Sequence, residues 1–268
     1  MNKDQIDATA KAAAEIIKAV PVYEDAIQPV AKEVGKALKT VGGVINVALS
    51  PLAAMVYGFD VLKERLRTRL EEKLQNTPPE NIVAPPLQLV GPLLEKYKYA
   101  HQSEELSEMF VTLLANSMDK DHVQKAHPSF VNVIAELSPD EAKLVKMIAS
   151  ADILPKLDIK LEHKGADGKT SGYTYPSINF TLLGSKAGLA YPDLTPSYLS
   201  NLERLNIISC PVGSMESSYS DKTHYEEIEA HPFLEEIRTE YKDQGEIKIE
   251  QRYIRITDFG KLFMDAVL

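Results

Sequence analysis

Six histidines and a single cysteine are among the side chains in this chain that could bind a metal ion or act as a general base or nucleophile. No two histidines form an HExxH motif or lie four residues apart on one predicted helix, which is the spacing of many zinc sites. Two of them precede a proline, where a helix-start or turn role is expected. The spacing therefore predicts no metal site. The histidines are His101, His122, His127, His163, His224 and His231.

Motifs for covalent catalysis and for phosphate binding are missing as well. The sequence contains no GxSxG, no P-loop and no GxGxxG, and the GADG at 165–168 is typical of a turn. Cys210 lies in the apolar stretch IISCPV, where a buried and unreactive thiol is expected. We therefore predict that the protein is not an enzyme and needs no cofactor.

The charge balance bears on the kind of partner. The 268 residues include 30 Lys and Arg against 39 Asp and Glu, a formal net charge of −9. Nucleic-acid binding relies on cations that neutralise phosphates, so this balance disfavours nucleic acid as a ligand and favours a protein. A single cysteine allows no internal disulfide and fits a reducing, cytoplasmic location.

Residues 41–59 carry no charged side chain, although 26% of the chain is charged. A membrane-spanning helix needs roughly 20 apolar residues, but Gly42, Gly43 and Pro51 interrupt this stretch. One interpretation is a core helix hairpin in which the two glycines allow close packing. The other is membrane insertion of a hairpin that includes Tyr57 and Phe59, with lysines and arginines flanking it at an anionic surface. Both interpretations stay open, so membrane association is an alternative to a purely cytoplasmic location.

The first half of the chain has a helical pattern. Apolar residues recur at helical spacing over 59–74, and another helix is expected at about Ser103–Ser117. A short helix should follow within 127–137. The next helix has the clearest start, because Ser138 can cap it, Pro139 suits its first position and Glu141 completes a capping box. These patterns predict a mostly α-helical domain over 1–137.

The second half mixes strand and helix patterns. Alternation predicts a hairpin of 156–163 with 173–180, then a helix over 195–206 that Thr195 caps. Polar residues 221–243 should be helical with a break at His231-Pro232. Residues 246–257 alternate as a strand, and Thr257 caps a final helix. The predicted fold class is α+β, with a second domain over 138–268.

The order of these elements resembles a winged helix. A capped helix is followed by a helix ending in LSNLERLNIIS, then by strands and RYIRITDFGKLF. The helix at 195–206 takes the place of the recognition helix, which in DNA-binding members lies in the major groove. Residues 138–268 hold 15 Lys and Arg against 21 Asp and Glu, whereas a DNA reader is expected to have a basic footprint. The candidate partner-binding residues are Tyr198, Asn201, Arg204, Arg252 and Arg255.

The chain also resembles the abortive-infection alpha (Abi-alpha) family of bacterial proteins. The resemblance rests on KALKTVGGVINVALSPLAAMVYGFDVLKERLRTRLEEKL and on HPSFVNVIAELSPDEAKLVKMI, within roughly residues 30–150. The family is assigned to phage defence and carries no established catalytic residues. The resemblance therefore implies a role in defence without specifying a mechanism.

Together these observations predict a non-enzymatic component of anti-phage defence that binds a phage or host protein. Two alternatives stay open. One is a membrane-active effector that inserts residues 41–59, and the other is a winged-helix regulator that binds DNA. The paired amphipathic helices also make a homo-oligomer an option.

Overall fold

The computed structural model describes residues 59–151, 154–165, 168–210 and 223–268. It contains both helices and strands, as the α+β prediction expected. Four of the hairpin residues, Gly42, Gly43, Pro51 and Tyr57, lie outside the described ranges, and Phe59 is the first residue of the first described helix. The chain divides into two compact units. The first comprises the residues up to Pro139 together with Asp265–Leu268, and the second comprises Asp140–Met264.

The described part of the first unit is built from helices. Two 3₁₀ turns, at Pro79–Asn81 and Val123–Lys125, connect some of them. The amphipathic spacing over 59–74 and the expected helix near 103–117 are both confirmed. The helices are α1 (Phe59–Leu74), α2 (Leu87–Ala100), α3 (Glu104–Ser117) and α4 (Ser129–Ala135).

Helix α3 forms the centre of the first unit, because α1, α2 and α4 all pack against it. Ser103 begins the helix by accepting a hydrogen bond from the Leu106 amide at 3.3 Å. Ten of its fourteen residues are buried, among them Phe110. Burial on nearly all sides explains why its apolar pattern is broader than a single stripe. The Asn116 amide donates to the carbonyl of Ala266 at 2.9 Å and so holds the end of the chain in this unit.

The second unit combines helices with two small sheets. Its helices, apart from Pro139 and Asp265–Val267 at the two ends, are α5 (Pro139–Ala149), α6 (Leu183–Lys186), α7 (Thr195–Arg204), α8 (Thr223–Glu229), α9 (Phe233–Glu240) and α10 (Asp258–Val267). Its strands are β1 (Pro155–Lys164), β2 (Thr170–Phe180), β3 (Ile208–Ser209), β4 (Gly245–Tyr253) and β5 (Arg255–Ile256). The gap between α8 and α9 confirms the break expected at His231-Pro232.

A three-stranded antiparallel sheet has the order β2-β1-β4 and includes the expected hairpin. One face is apolar: Leu157 and Ile159 of β1 are fully buried and pack with residues of α8 and α9. The other face carries the alternate, charged residues, because successive side chains of a strand point to opposite faces. Helices α8 and α9 therefore complete the core on one side of the sheet only.

The predicted strand over 246–257 is two strands with different partners. β4 pairs with β1 up to Tyr253, and the Ile254 amide still donates to the carbonyl of Leu154 at 2.8 Å. From Arg255 the chain pairs with β3 instead. Alternation continues through the change, so the sequence pattern alone does not reveal it.

Two predicted helix caps have different outcomes. Thr257 caps α10 as expected, since its hydroxyl accepts from the Gly260 amide at 2.8 Å. Thr195 was wrong as a cap, because it lies inside α7 and its hydroxyl donates to the carbonyl of Pro192 at 2.5 Å. The 3₁₀ turn at Pro192–Leu194 leads directly into α7 and supplies that carbonyl. Asn206, with a φ of 58°, ends α7 in the left-handed conformation that asparagine tolerates.

Candidate functional site

The junction of α5 and α7 contains a polar side chain with four polar neighbours, Asp140. Asp140 is 5% exposed and accepts hydrogen bonds from the amides of Ala190 and Tyr191, both at 2.9 Å. The Tyr198 hydroxyl donates to it at 3.4 Å, and the Lys143 ammonium lies 4.0 Å away. Asp140 thereby joins the start of α5 to α7 and to the segment that precedes α7.

The pKa of Asp140 reflects this environment. Burial raises it, but the hydrogen bonds and the nearby cation outweigh burial and hold the pKa below the ordinary 3.8. The pKa of Tyr198 moves the other way, raised first by burial and then by the negative charge of Asp140. At neutral pH the pair is therefore a carboxylate with a neutral phenol, which is a structural hydrogen bond rather than a proton relay.

Three candidate partner-binding residues, Tyr198, Asn201 and Arg204, lie together on α7. Asn201 donates to the Glu141 carboxylate at 2.7 Å, and Arg204 donates to the Asn201 side-chain oxygen at 2.9 and 2.8 Å. Tyr198 and Asn201 are thus engaged with α5, where they position the helix. Arg204 is exposed but bound to its own helix.

The other two candidates, Arg252 and Arg255, lie in the strands β4 and β5. Arg252 lies in β4 with 17% of its side chain exposed, donates to Glu250 at 2.8 Å, and lies 3.8 Å from Asp158. Arg255 is exposed and lines a cleft of about 480 Å³. The cleft also holds Lys261, whose ammonium lies 3.5 Å from the Asp258 carboxylate.

Sequence reasoning missed Asp140, which it included only in the predicted helix start. The residues that bind Asp140 follow it by 50 to 58 positions, so no local signal marks them. Within the described ranges no group of three or more His, Cys, Asp or Glu side chains could hold a metal ion.

Cys210 is half-buried just after β3, and its amide donates to Glu203 at 2.8 Å. Burial is the main cause that raises the pKa of its thiol to about 11, and Glu203 adds to the effect. A shift from 9.0 to about 11 lowers the thiolate population at pH 8 by about 100-fold.

We therefore expect Cys210 in the folded protein to react about 100-fold more slowly with iodoacetamide at pH 8 than an ordinary cysteine does. Mass spectrometry of timed aliquots measures the rate. The same protein unfolded in urea is the control and should react at the ordinary rate. Equal rates for folded and unfolded protein would contradict the assignment of a neutral thiol.

The model of the family described as "Abortive infection alpha" matches residues 58–267. The chain belongs to this family. Membership associates the protein with abortive infection, as the sequence resemblance implied. The abortive infection alpha match begins at residue 58, so most of the uncharged segment precedes it, as it precedes the described residues.

A solved structure is also similar to this chain. It is described as an uncharacterized protein from the hydrocarbon-degrading marine bacterium Alcanivorax borkumensis SK2, with 17% identity and a TM-score of 0.34. The similarity covers 55% of this chain and 94% of that one. No curated protein matches the chain.

None of the helices in the described ranges combines the length and the apolar character that crossing a bilayer requires. Residues 41–58 lie outside these ranges, so both interpretations of the uncharged segment stay predictions.

Proposed function

We propose that this abortive infection alpha protein is a non-enzymatic component of phage defence that binds a protein of the phage or the host through its second unit. The observation that carries the proposal is an acidic outer surface on α8 and α9. Six glutamates there are exposed, while the apolar sides of the same helices cover the sheet. The acidic surface consists of Glu226, Glu227, Glu229, Glu235, Glu236 and Glu240.

The acidic surface favours a basic protein segment over nucleic acid. A polyanion would meet repulsion there, whereas complementary charge steers a basic partner to the surface and raises its association rate. Some of these carboxylates already have partners, since Glu229 accepts from Gln251 at 2.7 Å and Glu227 lies 2.5 Å from the Lys186 ammonium. These contacts cost little to exchange, because exposed ion pairs contribute little to stability.

A winged-helix use of the second unit is part of the proposal. Helices α5, α6 and α7 with the antiparallel pair of β3 and β5 would form the winged helix, and α7 would be its recognition helix. The three-stranded sheet with α8 and α9 would then be an addition to it. The engagement of Tyr198 and Asn201 with α5 argues against their use in reading bases, which requires side chains directed into the groove.

The test is protection against phage by the full chain. We expect E226K/E236K/E240K to lose protection, measured as efficiency of plating, to the level of cells that lack the protein. The variant E72K/E80K/E95K has the same change in charge at exposed glutamates of the first unit and should keep protection. Crosslinking during infection should give protein adducts with the native chain and with this control only.

The DNA-binding alternative predicts that protection depends on α7 and not on the acidic surface. If Arg204→Ala abolished protection and native protein retained a specific DNA in a salt-sensitive gel shift, the proposal would fail. The same conclusion would follow if the triple variant on the acidic surface protected as well as the native chain.

A further inference from the structure

The polar face of the three-stranded sheet carries charges arranged in rows of like sign. The register of β1 with β4 sets residues of equal charge directly opposite each other, and the sign alternates from one row to the next. We call this the striped face. Its rows are Lys156 with Arg252, Asp158 with Glu250, Lys160 with Lys248, and Glu162 with Glu246.

This arrangement is unfavourable across the strands and favourable along them. Like charges placed directly opposite in an antiparallel pair destabilise it. Ion pairs within each strand offset the repulsion: Lys160 lies 2.9 Å from Glu162, and Lys248 is bonded to Glu246. A shift of two residues in either strand would have given opposite charges across the strands as well. Stability of the sheet alone therefore does not account for the rows.

The accessible part of the striped face is its end near the β1–β2 turn. The side chains of Glu246 and Lys248 are 51% and 47% exposed, whereas that of Lys156 is 4% exposed. Two tyrosines of the edge strand β2 border these rows. Tyr173 is 61% and Tyr175 42% exposed, and their rings pack edge to face at 5.7 Å.

We propose that the striped face binds the same face of a second copy of this chain. A twofold axis must lie in the plane between the two sheets, since a twofold interface joins identical surfaces. An axis parallel to the strands would place each row opposite the same row of the second copy, so that charges of like sign would face each other. An axis perpendicular to the strands reverses the order of the rows and can place every basic row on an acidic one.

The accessible rows fix the position of that axis. If it passes between the row of Lys248 and the row of Glu246, each of these residues faces the other in the second copy. The next row outward also matches in sign, because Lys164, exposed at the end of β1, then faces the row of Asp158, in which the side chain of Glu250 is 26% exposed. Successive rows are about 6.8 Å apart, which is the length of two residues along a strand. Because the spacing is regular, a single position of the axis places several rows opposite rows of the other sign.

The tyrosines add apolar area to the same interface. Tyr173 is in register with Glu162, and the Tyr175 hydroxyl donates to Glu250 at 3.2 Å, so both side chains lie on the striped face. The perpendicular axis places β2 of one copy over β2 of the other. The two tyrosine pairs then meet and form an aromatic cluster beside the charged rows, as tyrosine often does at interfaces.

The test compares charge variants of the full chain by sedimentation equilibrium at low salt. Native protein should approach twice the monomer mass with increasing concentration. Lys248→Glu makes three successive rows of β4 acidic, at 246, 248 and 250, and Glu246→Lys makes the two rows at 246 and 248 basic, so each variant alone should associate at least 10-fold more weakly. An equimolar mixture of the two should recover the native dimer, since the acidic rows of one then face the basic rows of the other.

Lys96→Glu and Glu95→Lys change exposed charges on α2 and serve as matched controls that should associate as the native chain does. Circular dichroism of each variant separates a change in association from a failure to fold. A native chain that stays monomeric at all concentrations would overturn the proposal. So would single variants that dimerise like the native chain, or a mixture that associates no better than its components.

Discussion

Replacement of Gly260 by alanine is expected to lower the free energy of unfolding by about 3 kcal/mol. A Cβ atom at this position of α10 would lie 1.9 Å from the carbonyl oxygen of Ile207 and 2.8 Å from its carbonyl carbon. Both are backbone atoms next to β3, so no side-chain rotation can relieve the overlap. The helix must move away from β3, and the cap that Thr257 provides moves with it.

Urea unfolding followed by circular dichroism measures the effect. Gly91→Ala is the matched control, because Gly91 lies inside α2 and nothing is within 4 Å of its added Cβ. That change should stabilise the helix by about 0.5–1 kcal/mol, since alanine favours a helix interior. If Gly260→Ala were as stable as Gly91→Ala, the close contact between α10 and β3 would be refuted.

The helices of the first unit could be predicted because their signal is local. Leu66, Leu70 and Leu74 recur at helical spacing, and all three are buried in α1. The expected start at Ser103 depends on a side chain and an amide three residues apart. Interactions between residues three or four positions apart depend on a short stretch of the sequence, so the sequence pattern and the fold agree.

The strand partners could not be predicted in the same way. Residues 246–257 alternate without interruption, yet the chain changes partner from β1 to β3 between Tyr253 and Arg255. Alternation tells which residues share a face and leaves the register undetermined. The rows of the striped face depend on that register, so they appear only when β1 and β4 are seen paired.

The sequence placed three of the candidate partner-binding residues on one predicted helix and did not indicate what they contact. Tyr198, Asn201 and Arg204 do lie together, because their spacing of three places them along one side of a helix. Their partners in α5, Asp140 and Glu141, are about 60 positions earlier, and helix packing brings them close. Helical spacing indicates a shared side and does not tell whether that side meets a partner or the protein itself.

Replacement of Asp140 by asparagine is the second change that we expect to lower the free energy of unfolding strongly. Asparagine has the same shape, but it replaces one carboxylate oxygen by an amide group that cannot accept a hydrogen bond. The amide of Ala190 or of Tyr191 then loses its acceptor in a site that is 5% exposed. Because hydrogen bonds to charged groups are the stronger ones, Asp140→Asn should lower the free energy of unfolding by about 3 kcal/mol.

The loss should depend on pH in a definite direction. The pKa of Asp140 in the folded protein is below its ordinary 3.8, so the unfolded chain binds the proton more tightly. The stabilisation by the carboxylate is therefore fully present above about pH 5, decreases as the pH falls towards the ordinary pKa, and is gone below the lower folded-state pKa. Native protein and Asp140→Asn should differ most near neutral pH and approach each other in acid.

Urea unfolding of both proteins between pH 7 and pH 3 measures this difference, with Asp193→Asn as the control. Asp193 lies in the 3₁₀ turn that leads into α7 and is exposed, so its replacement should change stability little at any pH. A pH-independent loss in Asp140→Asn would contradict this account, because it would mean that the charge of the carboxylate does not help to hold α5 to α7. If the free energies of unfolding of the two proteins instead converge in acid, the charged carboxylate of Asp140 holds α5 to α7, since its protonation then has the same effect as the substitution.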